Sequence, residues 1–158
     1  MPHGAPRLNG FDYIGVFCYS LTICTYQRRA VFVDGNLVDS VSQQILRTSN
    51  EHAFEVLAYC FMPDHLHLLA GGLTDDASLL RFMKAWKQQT GYEYARQHHA
   101  RLWQVGYFDH ILRSDESVLK HARYIVGNPV RAGLVRNVDD YPFARLLIGN
   151  GDAESLWS

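Results

Sequence analysis

The chain is poor in the features that would classify it at once. Among its 158 residues there are three cysteines, Cys18, Cys24 and Cys60, and they form no C-x-x-C. An odd, scattered set does not read as a disulfide framework, and a reduced, cytosolic protein is the simplest account. Although 47% of the residues are hydrophobic, no stretch is long and apolar enough to cross a membrane. The opening Met1-Pro-His-Gly-Ala-Pro-Arg has no apolar h-region of a signal peptide, and its proline and glycine suggest a loose lead-in. Neither sign of charge dominates. Fifteen Lys and Arg against 16 Asp and Glu leave −1 with histidine neutral, so total charge argues neither for nor against a nucleic-acid partner, which depends on where the charges lie. Internal repeats, linkers and low-complexity runs are also missing. The length suits one domain with one real core, expected over about residues 16–143 of 1–158, with loose tails at both ends.

What is present is a clear alternation of apolar patterns. Residues 16–26, V-F-C-Y-S-L-T-I-C-T-Y, alternate apolar with smaller or hydroxylated side chains and predict a strand. Asp34-Gly35-Asn36 reads as a turn, and Val41 and Ile45 lie at helical spacing in a helix expected over about 39–49. Residues 54–62 and 65–71 read as strands joined by Pro63-Asp64, and so short a link makes them antiparallel neighbours. Thr74 or Asp75 can cap a long helix to about residue 97, with Leu79, Phe82, Met83 and Trp86 on one apolar face. A strand is expected near 107–112. Ser114 can then cap a last helix, with Asp115 and Glu116 in its first turn, where the dipole favours them. That helix runs to about 126 or 128, since Pro129 disfavours helical geometry at the residue before it. The tail after Tyr141-Pro142 is expected to pack loosely. The first six elements follow a βαββαβ order. The predicted class is α+β, a ferredoxin-like antiparallel sheet with helices on one face and an added C-terminal helix.

Two places carry possible chemistry. Strand alternation turns Leu66, Leu68 and Ala70 to one face and puts His65 and His67 side by side on the other. Two imidazoles on one rigid strand are half of a divalent-metal site. The plainer alternative, two histidines on a solvated strand face, is left open by the pair alone. In the last helix Tyr124 and Asn128 are four apart and share a helix face. A tyrosine hydroxyl can attack phosphorus, and an amide oxygen one turn away can join two imidazoles around a metal. On spacing alone Tyr124 also reads as a packed aromatic and Asn128 as a turn residue before proline.

The blocks F-M-P-D-H-L-H-L-L, W-Q-V-G-Y-F-D-H and Y-I-V-G-N-P-V-R-A-G-L-V, in this order, resemble the REP-associated tyrosine transposases, a branch of the single-tyrosine HUH transposase superfamily. The resemblance covers most of the chain, from about residue 19 to 143. Its first motif is short and weak alone, and strong beside the N-P-V-R-A-G-L-V block. It implies that His65 and His67 are the paired metal-binding histidines, with Leu66 between them as the hydrophobic residue. It implies Tyr124 as the nucleophile and Asn128 as the residue that completes the metal site. It also implies Mg²⁺ or Mn²⁺ as cofactor, a ferredoxin-like sheet, and action on single-stranded DNA, often hairpins of repetitive extragenic palindromes. Two departures stand out: Asp64 where Asn is more frequent, and Val126-Gly127 where a polar residue is more usual.

The implied reaction is attack by Tyr124 on a phosphodiester, giving a 5′-phosphotyrosine and a free 3′-hydroxyl, so that the protein is a metal-dependent single-stranded DNA endonuclease and strand transferase. Arg28, Arg29, Arg81, Lys84, Lys87, Arg131 and Arg136 are candidates for phosphate contacts. Trp103 and Tyr107 are candidates for base stacking or core, with core favoured for Trp103. The expected setting is the bacterial cytoplasm, associated with the nucleoid, as a monomer or homodimer. Three rivals remain: a metal-binding hairpin-binding module that no longer cuts, another HUH nuclease such as a relaxase or replication initiator, and a metal-dependent hydrolase in which Tyr124 is structural.

Overall fold

Three strands and two long helices form because apolar side chains recur at the two periods that bury one face. The structure, a computed structural model, describes residues 10–148 and Trp157. β1 (Cys18–Cys24), β2 (Phe54–Met62), β3 (His65–Gly72), β4 (Phe108–Ile111) and β5 (Ala144–Leu146) form one sheet in the order β4-β1-β3-β2-β5. Every neighbouring pair is antiparallel. β3 is the middle strand, with Leu68 opposite Leu21 of β1 and Tyr59 of β2. The mixed α+β class and the antiparallel sheet are those expected from the sequence.

Each side of the sheet has its own core. On one, Tyr19, Leu21 and Ile23 of β1 and Leu66, Leu68 and Ala70 of β3 pack with α1 (Gly35–Glu51) and α2 (Leu79–His98). Val38, Val41 and Ile45 supply the stripe of α1, and Leu79, Phe82, Met83 and Trp86 that of α2. On the other, Cys18, Leu57, Ala58, Cys60, Met62 and Leu69 pack with Val118, Ala122, Ile125 and Val126 of α3 (Val118–Val126). A register shift between Val56 and Ala58 lets Leu57 and Ala58 both join this second core. Burial pushes the thiols of Cys18 and Cys60 up to about 12, so these cysteines are apolar packing rather than chemistry.

Several boundaries differ from expectation for local reasons. The Asp34-Gly35-Asn36 turn is the cap of α1, because the Asp34 carboxylate accepts from the Asn36 N–H at 3.0 Å. α2 is capped by Ser78, not Thr74 or Asp75. Leu79 N–H donates to the Tyr13 carbonyl and Gly15 N–H to the Ala77 carbonyl, which holds the chain extended to that point. α3 is capped by Ser117, not Ser114, so Asp115 and Glu116 precede the helix. The segment after Tyr141-Pro142 is not loose up to residue 147. Tyr141 donates its hydroxyl to the Phe61 carbonyl, Phe61 N–H donates to the Phe143 carbonyl, and β5 adds to β2. Tyr13 is also buried, so packing extends beyond residues 16–143 at both ends. The rest of the expected tails, 1–9 and most of 149–158, lies outside the described residues.

Gly72 shows how closely the sheet end is packed. A Cβ there would lie 2.2 Å from the Gly15 carbonyl oxygen and 3.1 Å from Ala77 Cβ. The first neighbour is backbone and cannot rotate away. Gly72→Ala is expected to cost about 1–3 kcal/mol, the usual penalty for overpacking, measured as a lower urea midpoint with an unchanged m-value.

Candidate active site

β3 and α3 place the expected site residues against each other. Because Leu66 and Leu68 face the first core, His65 and His67 face α3. Their Nε2 atoms are 3.1 Å apart and their rings meet edge to face. Each Nδ1 has its own partner: Asp64 Oδ1 at 2.7 Å from His65, and Thr22 Oγ1 at 3.2 Å from His67. Burial alone would raise the Asp64 carboxyl, but the hydrogen bonds from His65 and Arg28 hold it below its ordinary range. An ionised carboxylate can only accept, so His65 carries a proton on Nδ1. The close Nε2 pair shares one proton between its two rings, and His67 Nδ1 is paired with the Thr22 hydroxyl. Burial, followed by the neighbouring His65, lowers His67 to about 4 and keeps it neutral.

A cavity of about 460 Å³ lies beside this pair, lined by Ser20, Thr22, His67, Lys120, His121, Tyr124, Ile125 and Asn128. Three of the four residues expected to carry the chemistry therefore share one space, and the fourth, His65, touches it through His67. Tyr124 is 63% exposed, so its hydroxyl is accessible. α3 ends at Val126, Gly127 bends the chain, and α4 (Asn128–Arg131) follows. Tyr124 and Asn128 thus stand on either side of a break and still face the same cavity.

The donor set fits a divalent ion. A cation can replace the proton between the two Nε2 atoms, with a proton on His67 Nδ1 then donated to the Thr22 hydroxyl. Asp64 and Thr22 would then be the outer partners that hold ligating imidazoles in place. Asn128 offers an amide oxygen, and its Nδ2 is buried with no hydrogen-bond partner. That oxygen is engaged, however, because Arg131 Nη2 donates to Asn128 Oδ1 and to the Tyr124 carbonyl. The Arg131 guanidinium also lies 3.7 Å from the centre of the Tyr124 ring. Gly127 makes this possible, since a Cβ there would lie 2.8 Å from Arg131 Nη1. The unusual Val126-Gly127 pair thus has a steric reason, and the unusual Asp64 orients His65.

The other basic candidates are dispersed. Arg28 Nε donates to Asp64 Oδ2 at 3.0 Å, which ties it to the site from behind. Arg29 stacks near Tyr26, 5.7 Å from its ring centre. Arg81 and Lys84 are exposed on α2, and Arg136 lies in the segment after α4. None of these five lines the cavity. Lys87 donates to the carbonyls of Gln104 at 3.3 Å and Gly106 at 2.8 Å, and so fastens a loop to α2. Trp103 and Tyr107 are core, and Trp103 Nε1–H donates to Thr90 Oγ1 at 2.9 Å. Sequence reading missed Lys120 and His121, although both lie within one helical turn of Tyr124, and missed Thr22, whose link to His67 depends on strand register.

A paired-histidine strand facing a tyrosine on a helix, over an antiparallel sheet, defines the class to which comparison also assigns the chain. Residues 16–128 match the family described as Transposase IS200 like, and the chain belongs to that enzyme family. The REP-associated tyrosine transposase of Escherichia coli (strain K12) is 32% identical over 107 residues, 63% of this chain and 59% of that protein. A Haemophilus influenzae protein bearing the same family name is 27% identical over 137 residues, 80% of this chain and 77% of its own length. A solved REP-associated tyrosine transposase, bound to a REP hairpin, superposes with a TM-score of 0.73 at 22% identity, covering 89% of this chain and 82% of that one. At that identity the likeness speaks for the fold.

Lys87→Ala is expected to lower stability by about 1–3 kcal/mol, since hydrogen bonds from a charged donor to half-buried carbonyls are worth that much, whereas Lys84→Ala should leave it nearly unchanged. Urea unfolding of the two variants distinguishes this fastening role from a surface one.

Proposed function

We propose that this protein is a single-stranded DNA strand transferase of the transposase type, acting on hairpin DNA through a phosphotyrosine intermediate. The observation that carries the reading is the shared cavity, in which an exposed Tyr124 faces His67 and Asn128, with His65 against His67. Family membership supports it, as does the hairpin bound to the solved relative.

In this reading His65, His67 and Asn128 hold Mg²⁺ or Mn²⁺. When bound, the ion polarises a non-bridging phosphate oxygen and offsets the charge that develops there. The remaining work falls to the chain. A neutral phenol is a weak nucleophile, so α3 must present Tyr124 in line with the scissile bond. Lys120, on the same cavity wall, lies where its ammonium can attract the phosphodiester. The Tyr124 oxygen bonds to phosphorus, the bond from phosphorus to the 3′-oxygen breaks, and the phenolic proton is lost while the 3′-oxygen gains one. The 5′-phosphotyrosine keeps the phosphodiester energy, and attack on it by a 3′-hydroxyl rejoins or transfers the strand without ATP. Arg131 acts before this step. A DNA phosphate competes for its guanidinium, and its departure from Asn128 frees the amide oxygen.

The deciding experiment mixes the protein with a labelled hairpin oligonucleotide and Mn²⁺ and looks for a covalent band on a denaturing gel. A band that EDTA and Tyr124→Phe both abolish is the expected result. Cleavage without a band would favour a hydrolase, and binding without cleavage over several hairpins would favour a silent binding module. In the absence of DNA, Arg131→Ala is expected to tighten Mn²⁺ binding about fivefold, the worth of one hydrogen bond of about 1 kcal/mol. Calorimetry showing unchanged affinity would remove Arg131 from the control of Asn128.

A further inference from the structure

Glu116 is the hub of a second histidine cluster, separate from the His65–His67 pair. It sits in the turn between β4 and α3 and receives groups from both sides. His110, on β4, brings its Nε2 to 3.1 Å from Oε1 and 3.0 Å from Oε2. His121, on the first turn of α3, brings its Nε2 to 3.0 Å from Oε2. The Arg113 N–H donates to Oε1 at 2.9 Å. That backbone donor first, and His110 next, lower the Glu116 carboxyl to about 2, so it is ionised at neutral pH. The two imidazoles stack at 6.0 Å between ring centres and 25° between planes.

This convergence is more than a cap. The α3 N-cap role is already filled by Ser117, which accepts from Lys120 N–H, so Glu116 is not needed for it. One ligand atom from each of His110, Glu116 and His121 lies within 4.8 Å of the others. Among the described residues this is the only group of three or more His, Cys, Asp or Glu side chains with that geometry. Two imidazole nitrogens and one carboxylate oxygen are the donor set of open, three-ligand zinc sites. The side chains are 51%, 25% and 31% exposed for His110, Glu116 and His121, so an ion can enter from solvent. Moving each imidazole proton from Nε2 to Nδ1 bares both nitrogens.

We propose that His110, Glu116 and His121 form a second metal site, for a borderline transition ion of the Zn²⁺ class, that fastens strand β4 to the helix carrying Tyr124. Two imidazoles among three ligands favour Zn²⁺ over Mg²⁺, which prefers oxygen. The bound ion bridges the sheet edge and the first turn of α3. It stiffens the helix that presents Tyr124, and through His121 it forms part of the wall of the Tyr124 cavity. The site does not depend on the cleavage reading, because it holds whether or not Tyr124 attacks DNA.

The test measures metal rather than activity. Chelator-stripped protein is titrated with ZnCl₂ by calorimetry, with metal content checked by mass spectrometry, in a His65→Ala/His67→Ala background that removes the first pair. One Zn²⁺ per chain is expected there, with a Zn²⁺-induced rise in Tm. Both should be lost when Glu116→Gln or His121→Asn is added, and Co²⁺ should give the visible d–d bands of a low-coordinate nitrogen and oxygen site only while the trio is intact. The same Tm comparison in otherwise unchanged protein, wild type against Glu116→Gln, covers the case in which the background variant fails to fold: a Zn²⁺-induced rise equal in the two overturns the proposal. So does a folded background variant that takes up no Zn²⁺, or one that takes it up equally with and without Glu116.

Discussion

A strand in the middle of a sheet has no free face, and β3 is such a strand with two histidines in it. β1 and β2 occupy its backbone groups, helices cover both sides, and any polar side chain it carries must find partners or cost about 1–3 kcal/mol. His65 and His67 meet that demand through Asp64, Thr22 and each other. The result is two imidazoles with little freedom to rotate, their Nε2 atoms already converged. The partners that relieve the burial are also those that would orient the rings toward a cation. Stability and site geometry therefore rest on the same few hydrogen bonds.

The helix that faces them is constrained differently. Its apolar stripe, Val118, Ala122, Ile125 and Val126, is fixed against the second core, which leaves Tyr124 turned outward over the cavity. Gly127 then breaks the run, and Asn128 begins a short new turn. Arg131 folds back across this break onto Tyr124 and Asn128, and the absence of a Cβ at Gly127 gives it room. Tyr124 and Asn128 are coupled by a guanidinium that belongs to neither core.

Most of the frame could be read from the chain because burial on two sides leaves a strong imprint. The runs of β2 and β3, the stripe of α2 and the outward histidine pair follow directly from periods of two and 3.6. What escaped reading depended on contacts distant in sequence. Ser114 and Ser117 are equally good caps locally, and the choice is made by His110 and His121, which hold Glu116 outside the helix. Asp34 looked like part of a turn because the cap of α1 is itself a turn. The brief β5 has no pattern of its own, and it exists because β2 offers an open edge and Tyr141 reaches Phe61. Arg131, grouped with the phosphate contacts by charge alone, also lies on an aromatic ring, and only the fold reveals that.

The sheet ends in β4 on one side and β5 on the other, of four and three residues. Long, flat outer strands invite pairing with other chains, and short ones offer few free backbone groups to do so. Arg145 on β5 and Asp109 on β4 add charge at these margins. A molecule whose outermost strands are this brief offers other copies of itself little free backbone to pair with.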